Sequence, residues 1–332
     1  MRIRKKISSL VIFLMVFGLV LAGCGSGGSG SGDAGDTGGK IDITFATGGV
    51  GGPMHTIGSA ICTVWTDSLE NVNATNSSTA ASVVNCNMVN EGKAEIAFTM
   101  SDVAYLGYKG EEMFKESLDN MYGLISLHNN YVQLITKKGS GIKSVYDLKG
   151  KRVGVGAPGS GTEFNARCIL EAAGMSYKDL AKADYLSYAE TCDQLANDNI
   201  DAGFLTGGLP IAAISELSTT HDIEIIPIDS EIIEKLNDIY PIYFEDNIPG
   251  DLYRGVSDPV PTAALKNYLI INGDVDEELT YNLLKAMVEE WDLIQQSHSG
   301  MKNITPEMGL DRMEIPIHPG AEKFFKEMGI LE

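Results

Sequence analysis

Short apolar segments alternate with longer amphipathic segments along the chain, and small polar residues separate them. The arrangement occurs four times: a strand-like segment leads into a Gly-, Ser- or Thr-rich turn and then into a helix-like segment. The strand-like segments are IDITFAT, AEIAFTM, KRVGVGAP and IDAGFLT, followed by GGVGGPMHTIGSAICTVW, SDVAYLGYKG, GSGTEFNARCILEAAG and GGLPIAAISEL. Strands that alternate with helices predict an α/β fold with parallel strands and right-handed crossovers.

The predicted topology brings the four turns to one edge of the sheet. In such sheets the ligand crevice lies outside the carboxyl ends of the strands, where helices present their unpaired N–H groups. Several helix dipoles that converge there would attract a carboxylate or a phosphate without the help of a lysine. The pattern therefore predicts a site for a small anion.

The third turn also contains the spacing G-x-G-x-x-G, formed by Gly154, Gly156 and Gly159. A dinucleotide-binding site is disfavoured, because the acidic residue expected about 20 residues further on, at the end of a second strand, is missing. Ser160 and Glu163 have instead the spacing of a capping box. Two interpretations stay open: a capped helix without a ligand, and, preferred here, a capped helix whose remaining N–H groups face an anion.

The first 40 residues differ in composition from the rest of the chain. Basic residues at positions 2–6 precede an apolar segment at positions 10–21, and Leu21-Ala22-Gly23-Cys24 resembles a bacterial lipobox. We therefore predict a lipoprotein signal peptide over residues 1–23, lipidation of Cys24, and a flexible Gly/Ser linker over residues 24–40. An uncleaved signal anchor is the alternative. The expected location is extracytoplasmic, with a lipid anchor in the cell membrane.

The net charge and the cysteine positions argue against several classes of function. The chain has 25 basic and 45 acidic residues and a net charge of −20, which becomes about −24 without the four basic residues of the predicted signal. Such a surface repels nucleic acid, so no nucleic-acid partner is expected. Cys62, Cys86, Cys168 and Cys192 lack metal-site spacing, and any disulfide pairing stays undetermined. No cofactor is expected, and no sequence motif indicates an enzyme.

Seven motifs, four of which contain the turns described above, follow one another in a characteristic order. They are ATGGVGG, NEGKAEIAFTMSDVAY (90–105), GIKSVYDLKGKRVGVGAPGSGTE (141–163), NIDAGFLTGGLP (199–210), YPIYFEDNIPGDLY (240–253), DPVPT (258–262) and IPIHPGAEKFFKEMGIL (315–331). Together they resemble the TAXI-type extracytoplasmic solute receptors of tripartite ATP-independent periplasmic (TRAP) transporters, over essentially the whole body of the chain.

The resemblance implies a two-lobed α/β fold of the periplasmic-binding-protein type (type II-like), with a hinge and a ligand cleft between the lobes. Lobe I would comprise residues 41–131 and 262–332, and lobe II residues 132–261. The implied function is capture of a small carboxylate, such as a C4–C5 dicarboxylate or a glutamate-like amino acid, for delivery to an ion-gradient-driven TRAP permease. The alternative function is a ligand-sensing module for a membrane signalling protein.

The resemblance also assigns ligand-binding positions, most of them in the glycine-rich turns. Met54 and His55 replace the family's usual aromatic residues and Met100 its usual glutamine, which indicates a less polar pocket and a ligand less polar than glutamate. His55 either donates to the carboxylate or lies on the helix surface, and Asp102 either caps its helix or binds a ligand ammonium. Arg167 either reaches the crevice or forms a solvated salt bridge. The predicted ligand-binding residues are Thr47, Gly48, Gly49, Met54, His55, Thr79, Ser82, Ser101, Asp102, Gly159, Ser160, Gly161, Thr162, Gly207 and Gly208.

Overall fold

The computed structural model describes residues 39–332, so the predicted signal peptide, the lipidation site Cys24 and most of the predicted linker lie outside the described residues. Within this range the chain forms ten strands and ten α-helices, and none of these helices is long and apolar enough to cross a membrane. The strands are β1 (Ile41–Ala46), β2 (Val72–Ser77), β3 (Ile96–Met100), β4 (Met121–Lys137), β5 (Arg152–Gly154), β6 (Lys182–Asp184), β7 (Ala202–Gly207), β8 (Ile223–Ile226), β9 (Phe244–Ile248) and β10 (Val260–Asn272). The helices are α1 (Pro53–Ser68), α2 (Ser82–Asn90), α3 (Ser101–Lys109), α4 (Gly161–Ala172), α5 (Tyr188–Ala196), α6 (Ala212–Thr220), α7 (Ser230–Ile239), α8 (Glu277–Glu289), α9 (Trp291–Ser297) and α10 (Pro319–Glu327).

The strands form one sheet in the order β2-β1-β3-β10-β4-β7-β5-β6, with β8 paired to β4 and β9 to β10. Strand β1 is parallel to β2 and β3, and β5 is parallel to β6 and β7. The long strands β4 and β10 run antiparallel to each other and to their other neighbours. Two sets of strands are thus joined by two long strands. We call β1–β3 with α1–α3 and α8–α10 the first group, and β5–β9 with α4–α7 the second group.

All four predicted strand–turn–helix units are present, as β1–α1, β3–α3, β5–α4 and β7–α6. Three more units, β2–α2, β6–α5 and β8–α7, are not among these four. Helix α5 begins after Ser187, whose hydroxyl accepts from the main-chain N–H of Glu190, while the Glu190 carboxylate accepts from the N–H of Ser187. This capping box satisfies N–H groups at the helix start and matches the sequence SYAE.

Strands β4 and β10 pass through the centre of the molecule, and most of their residues are buried. The predicted lobe boundaries, at residues 131/132 and 261/262, fall within these two strands. They would assign the first group to lobe I and the second group to lobe II, and the division stays a prediction.

The apolar core has a larger and a smaller part. The larger part includes Phe45, which stacks on Phe98 with ring centroids 5.2 Å apart, and the smaller part lies in the second group around Leu205. Cys62 and Cys168 are buried in this core. Burial raises the pKa of the Cys62 thiol to about 12, and all four cysteines among residues 39–332 are free thiols.

Candidate functional site

A cavity of about 330 Å³ lies between the first and the second group. We call it the main cavity. Eight of the fifteen predicted ligand-binding residues line it, and they come from turns of both groups. These eight are Gly48, Gly49, Met54, Thr79, Ser160, Gly161, Thr162 and Gly207. Eleven further residues complete the lining: Val50, Gly52, Pro53, Ala80, Ala81, Met100, Asn130, Ala157, Ser187, Tyr188 and Thr206.

The other seven predicted residues, Thr47, His55, Ser82, Ser101, Asp102, Gly159 and Gly208, do not line the main cavity. Several of them hold its loops in place. The hydroxyl of Thr47 donates to Asn76 Oδ1 at 2.6 Å, and the hydroxyl of Ser82 accepts from the N–H of Met100 at 3.2 Å. His55 is half-buried, with its Nδ1 3.5 Å from both Thr47 Oγ1 and Asn76 Nδ2.

Asp102 is neither the N-cap residue of α3 nor part of the lining of the main cavity, the two positions that its predicted roles require. It lies in the first turn of α3 and is fully buried, while Met100 occupies the N-cap position. Its Oδ1 accepts from the N–H of Val103 at 2.7 Å, and its Oδ2 accepts from Asn165 Nδ2 at 2.6 Å and from the Tyr243 hydroxyl. Burial raises the pKa of this carboxyl to about 6 despite these hydrogen bonds. Asp102 therefore links α3 of the first group to α4 of the second.

Glycine allows the two groups to approach each other closely beside the main cavity. A Cβ atom on Gly161, at the start of α4, would lie 2.6 Å from Met100 Sδ and 2.8 Å from Ser82 Oγ. A Cβ atom on Gly52 would lie 3.1 Å from the Tyr188 ring. Because both contacts join one group to the other, a side chain at either glycine would push the two groups apart.

Five helix N-termini converge on the main cavity, since the N-cap residues of α1, α2, α3, α4 and α5 all line it: Gly52, Ala81, Met100, Ser160 and Ser187. At the first three, the side chain of the N-cap residue makes no capping hydrogen bond. Ser160 accepts from the N–H of Glu163 at 3.2 Å, but the Glu163 carboxylate accepts from the Tyr177 hydroxyl, so only half of the predicted capping box forms. The N-terminal dipole ends give the cavity a positive potential.

The side chains of the main cavity are uncharged: none of the described residues that line it is acidic, basic or a histidine. Two polar side chains in the lining, Asn130 on β4 and Thr206 on β7, are fully buried. Both amide atoms of Asn130 and the hydroxyl of Thr206 have no hydrogen-bond partner within residues 39–332. Buried polar groups are normally paired, so these atoms are suited to contact a bound molecule.

Some lining residues were not predicted from the sequence, and they differ in whether a sequence motif identifies them. Ser187 and Tyr188 follow from the capping-box signature of α5, which a search for S-x-x-E finds. Asn130 lies inside a long strand and has no local signature. Arg167 pairs with Glu112 at 3.1 Å and does not line the main cavity, which agrees with the salt-bridge interpretation.

Comparison with known proteins gives a family and a fold. The family model described as the NMT1-like family matches residues 45–329. Among solved structures, the chain is similar to PhnD1 from Prochlorococcus marinus in complex with methylphosphonate, with 12% sequence identity, 87% of this chain and 99% of that chain covered, and a TM-score of 0.51. The periplasmic aliphatic sulphonate binding protein SsuA from Escherichia coli is 13% identical, with coverages of 88% and 84% and a TM-score of 0.47. A putative L-cystine ABC transporter from Listeria monocytogenes is 15% identical, with coverages of 79% and 96% and a TM-score of 0.48. The predicted α/β fold of the periplasmic-binding-protein type is confirmed.

Proposed function

The chain belongs to the NMT1-like family, and from this premise we propose that it is a solute-binding receptor that captures a small carboxylate in the main cavity. The observation that carries the proposal is the convergence of five helix N-termini, three of them with an N-cap residue whose side chain makes no capping hydrogen bond. A carboxylate would accept from their main-chain N–H groups and interact favourably with the dipoles. A strongly acidic protein can bind an anion in this way because the local field comes from its backbone.

The lining also limits the class of carboxylate. Met54, Met100 and Val50 give the main cavity an apolar wall, and its volume of about 330 Å³ suits a short molecule. A ligand ammonium would lack a counter-charge, because Asp102 is outside the lining and engaged by Asn165 and Tyr243. We therefore favour an organic acid over an amino acid. Its other polar atoms would bond to Asn130 and Thr206.

In this proposal the first and second groups act as lobe I and lobe II and close on the ligand by bending at β4 and β10. The contacts of Gly161 and Gly52 are consistent with a closed arrangement of the lobes. The order of the motifs favours a TAXI-type receptor of a TRAP transporter, lipid-anchored outside the cytoplasm through Cys24. Its partner would then be an ion-gradient-driven permease, and the protein would have no enzymatic activity.

Substitution of Gly49 tests the proposal. A Cβ at Gly49 meets no atom within 4 Å, so both Gly49→Asp and Gly49→Asn should fold normally. The negative charge of Gly49→Asp would oppose an anion in the main cavity, whereas the neutral amide would not. In calorimetric titrations with C3–C6 organic acids, we expect Gly49→Asp to lower affinity at least about tenfold and Gly49→Asn to lower it about threefold or less.

Two results would contradict the proposal. One is that none of these acids binds the wild-type protein or raises its melting temperature. The other is that Gly49→Asp and Gly49→Asn bind the best acid equally well, because the bound molecule then carries no negative charge near Gly49.

A further inference from the structure

A second cavity, of about 510 Å³, lies away from the main cavity, and the two share no lining residue. Its walls come from the central strands β4 and β10, from Phe244 on β9, and from the segment 299–312 that follows α9. Its lining contains three charged side chains, Lys266, Asp311 and Arg312. The second cavity therefore has a net positive lining in a protein whose overall charge is strongly negative.

Lys266 is one feature that points to a ligand. Its side chain is only 4% exposed, and its ammonium pairs with Asp311 Oδ2 at 2.8 Å. An ammonium has three N–H donors, so this ion pair leaves donors for other acceptors. Asn129 is the partner of Lys266 in the pairing of β4 with β10, and it also lines the second cavity. Its Oδ1 is buried without a hydrogen-bond partner within residues 39–332, which leaves a free acceptor on the residue that pairs with Lys266.

Arg312 is the other feature. Among residues 39–332 there are four arginines, and the guanidinium groups of Arg152, Arg167 and Arg254 bond to Asp201, Glu112 and the Thr219 carbonyl respectively. The Arg312 guanidinium has no hydrogen-bond or ion-pair partner in this range and lies 4.5 Å from the ring centroid of Phe244. Its backbone has φ = 52°, in the left-handed region that a residue with a long side chain rarely adopts. Such outliers concentrate at functional sites.

From these features we propose that the second cavity binds a small carboxylate that carries a hydroxyl group next to the carboxyl, the chemistry of an α-hydroxy acid. The guanidinium of Arg312 would bind the carboxylate through two parallel N–H donors, and the ammonium of Lys266 would add a third. The hydroxyl would donate to Asn129 Oδ1. Since Phe244 belongs to the second group and Arg312 follows α9 of the first, the contact between these two side chains joins the two groups beside the bound acid.

The test uses the full chain carrying Gly49→Asp, so that binding at the proposed main site is weakened. L-lactate is titrated by calorimetry and followed by ¹H–¹⁵N NMR on the Asn129 side-chain amide. We expect a dissociation constant of about 1–10 mM, with acetate, which lacks the hydroxyl, weaker by about threefold or more. Adding Arg312→Gln should weaken lactate binding at least about tenfold. Adding Lys302→Gln, an equal loss of charge at an exposed residue outside the cavity, should change it by less than about twofold.

Three results would overturn the proposal: no lactate binding up to about 50 mM, equal effects of Arg312→Gln and Lys302→Gln, or equal binding of lactate and acetate. Circular dichroism shows whether Arg312→Gln is folded. If it is not, Arg312→Lys replaces it, with an expected intermediate loss of affinity.

The experiment separates this proposal from the proposed function. If Gly49→Asp by itself abolishes lactate binding, lactate binds only in the main cavity. If lactate binding responds to Arg312→Gln and not to Gly49→Asp, lactate binds only in the second cavity.

Discussion

The main cavity and the second cavity lie in the same acidic protein but obtain a positive potential in different ways. The main cavity has uncharged side chains, and its potential comes from helix N-termini contributed by five separate turns. The second cavity depends on Lys266 and Arg312, partly balanced by Asp311. Backbone dipoles are fixed by the fold and do not titrate, whereas side-chain charges can be removed by a single substitution. The main cavity should therefore depend on helix geometry and the second on individual residues.

The largest expected effect concerns Asp102, a fully buried carboxyl two residues after Met100, which lines the main cavity. Its folded-state pKa of about 6 exceeds the value of about 3.9 in an unfolded chain, so the folded state binds more protons between these values. The contribution of Asp102 to stability should therefore fall as pH rises from about 4 to 6, by as much as about 3 kcal/mol, and then level off. His128, His298 and His318 contribute in the opposite direction, because burial lowers their pKa values, so the contribution of Asp102 is measured as the difference from Asp102→Asn. Nearby Cys86, Cys168, Tyr243 and Tyr268 stay neutral over this range, because burial raises their pKa values.

Urea unfolding of the wild type and of Asp102→Asn at pH 4.5 and pH 7 checks this expectation. The difference in unfolding free energy between the two proteins should change with pH in the stated direction, because the asparagine does not titrate. A constant difference would mean that the Asp102 carboxyl does not titrate in this range, and that the wall beside the main cavity does not bury a titrating charge.

An intermediate effect is expected from Gly161→Ala, which tests whether the main cavity depends on backbone approach. The added Cβ would overlap Met100 Sδ and Ser82 Oγ and move the α4 N-terminus away from those of α2 and α3. We expect affinity for the best organic acid to fall about tenfold, or ~1.4 kcal/mol in calorimetric titration. Gly49→Ala is the matched control, since its Cβ meets no atom within 4 Å. Equal affinities for the two variants would show that this close approach is unnecessary.

The smallest effect is expected from Thr206→Val, which removes a buried hydroxyl and keeps the shape of the side chain. This hydroxyl has no hydrogen-bond partner within the described part of the chain, so its removal should leave the melting temperature unchanged or slightly raised. Affinity for the ligand should fall about threefold, because one hydrogen bond to the acid is lost. A lower melting temperature with unchanged affinity would instead assign the hydroxyl a structural role.

Local pattern predicts most of the units that build the main cavity. Each of the four predicted strand–turn–helix units is present, because an apolar strand, a turn of small residues and an amphipathic helix are recognisable over about 25 residues. Gly48, Gly49, Ser160 and Gly161 line the cavity because they belong to such turns. The family resemblance assigned these four residues to ligand binding, together with Met54, Thr79, Thr162 and Gly207.

Other members of the site depend on partners remote in sequence. The environment of Asp102 comes from Asn165 and Tyr243, which are 63 and 141 residues away along the chain. Asn130 is one of several polar residues in a long buried strand, and only the packing of both groups shows that it lines the main cavity. In the second cavity, the pairing of β4 with β10 brings Asn129 to Lys266, and the segment that follows α9 adds Arg312; no local pattern predicts either.

The sequence alone determined the α/β class, the turns of small residues and the helix starts, because these depend on backbone preferences and on periodicity within short segments. The tertiary structure decided which helix starts meet, which polar atoms are left unpaired, and which ionisable groups are buried. These properties depend on distances between residues far apart in the chain, which are fixed only when the whole sheet has formed.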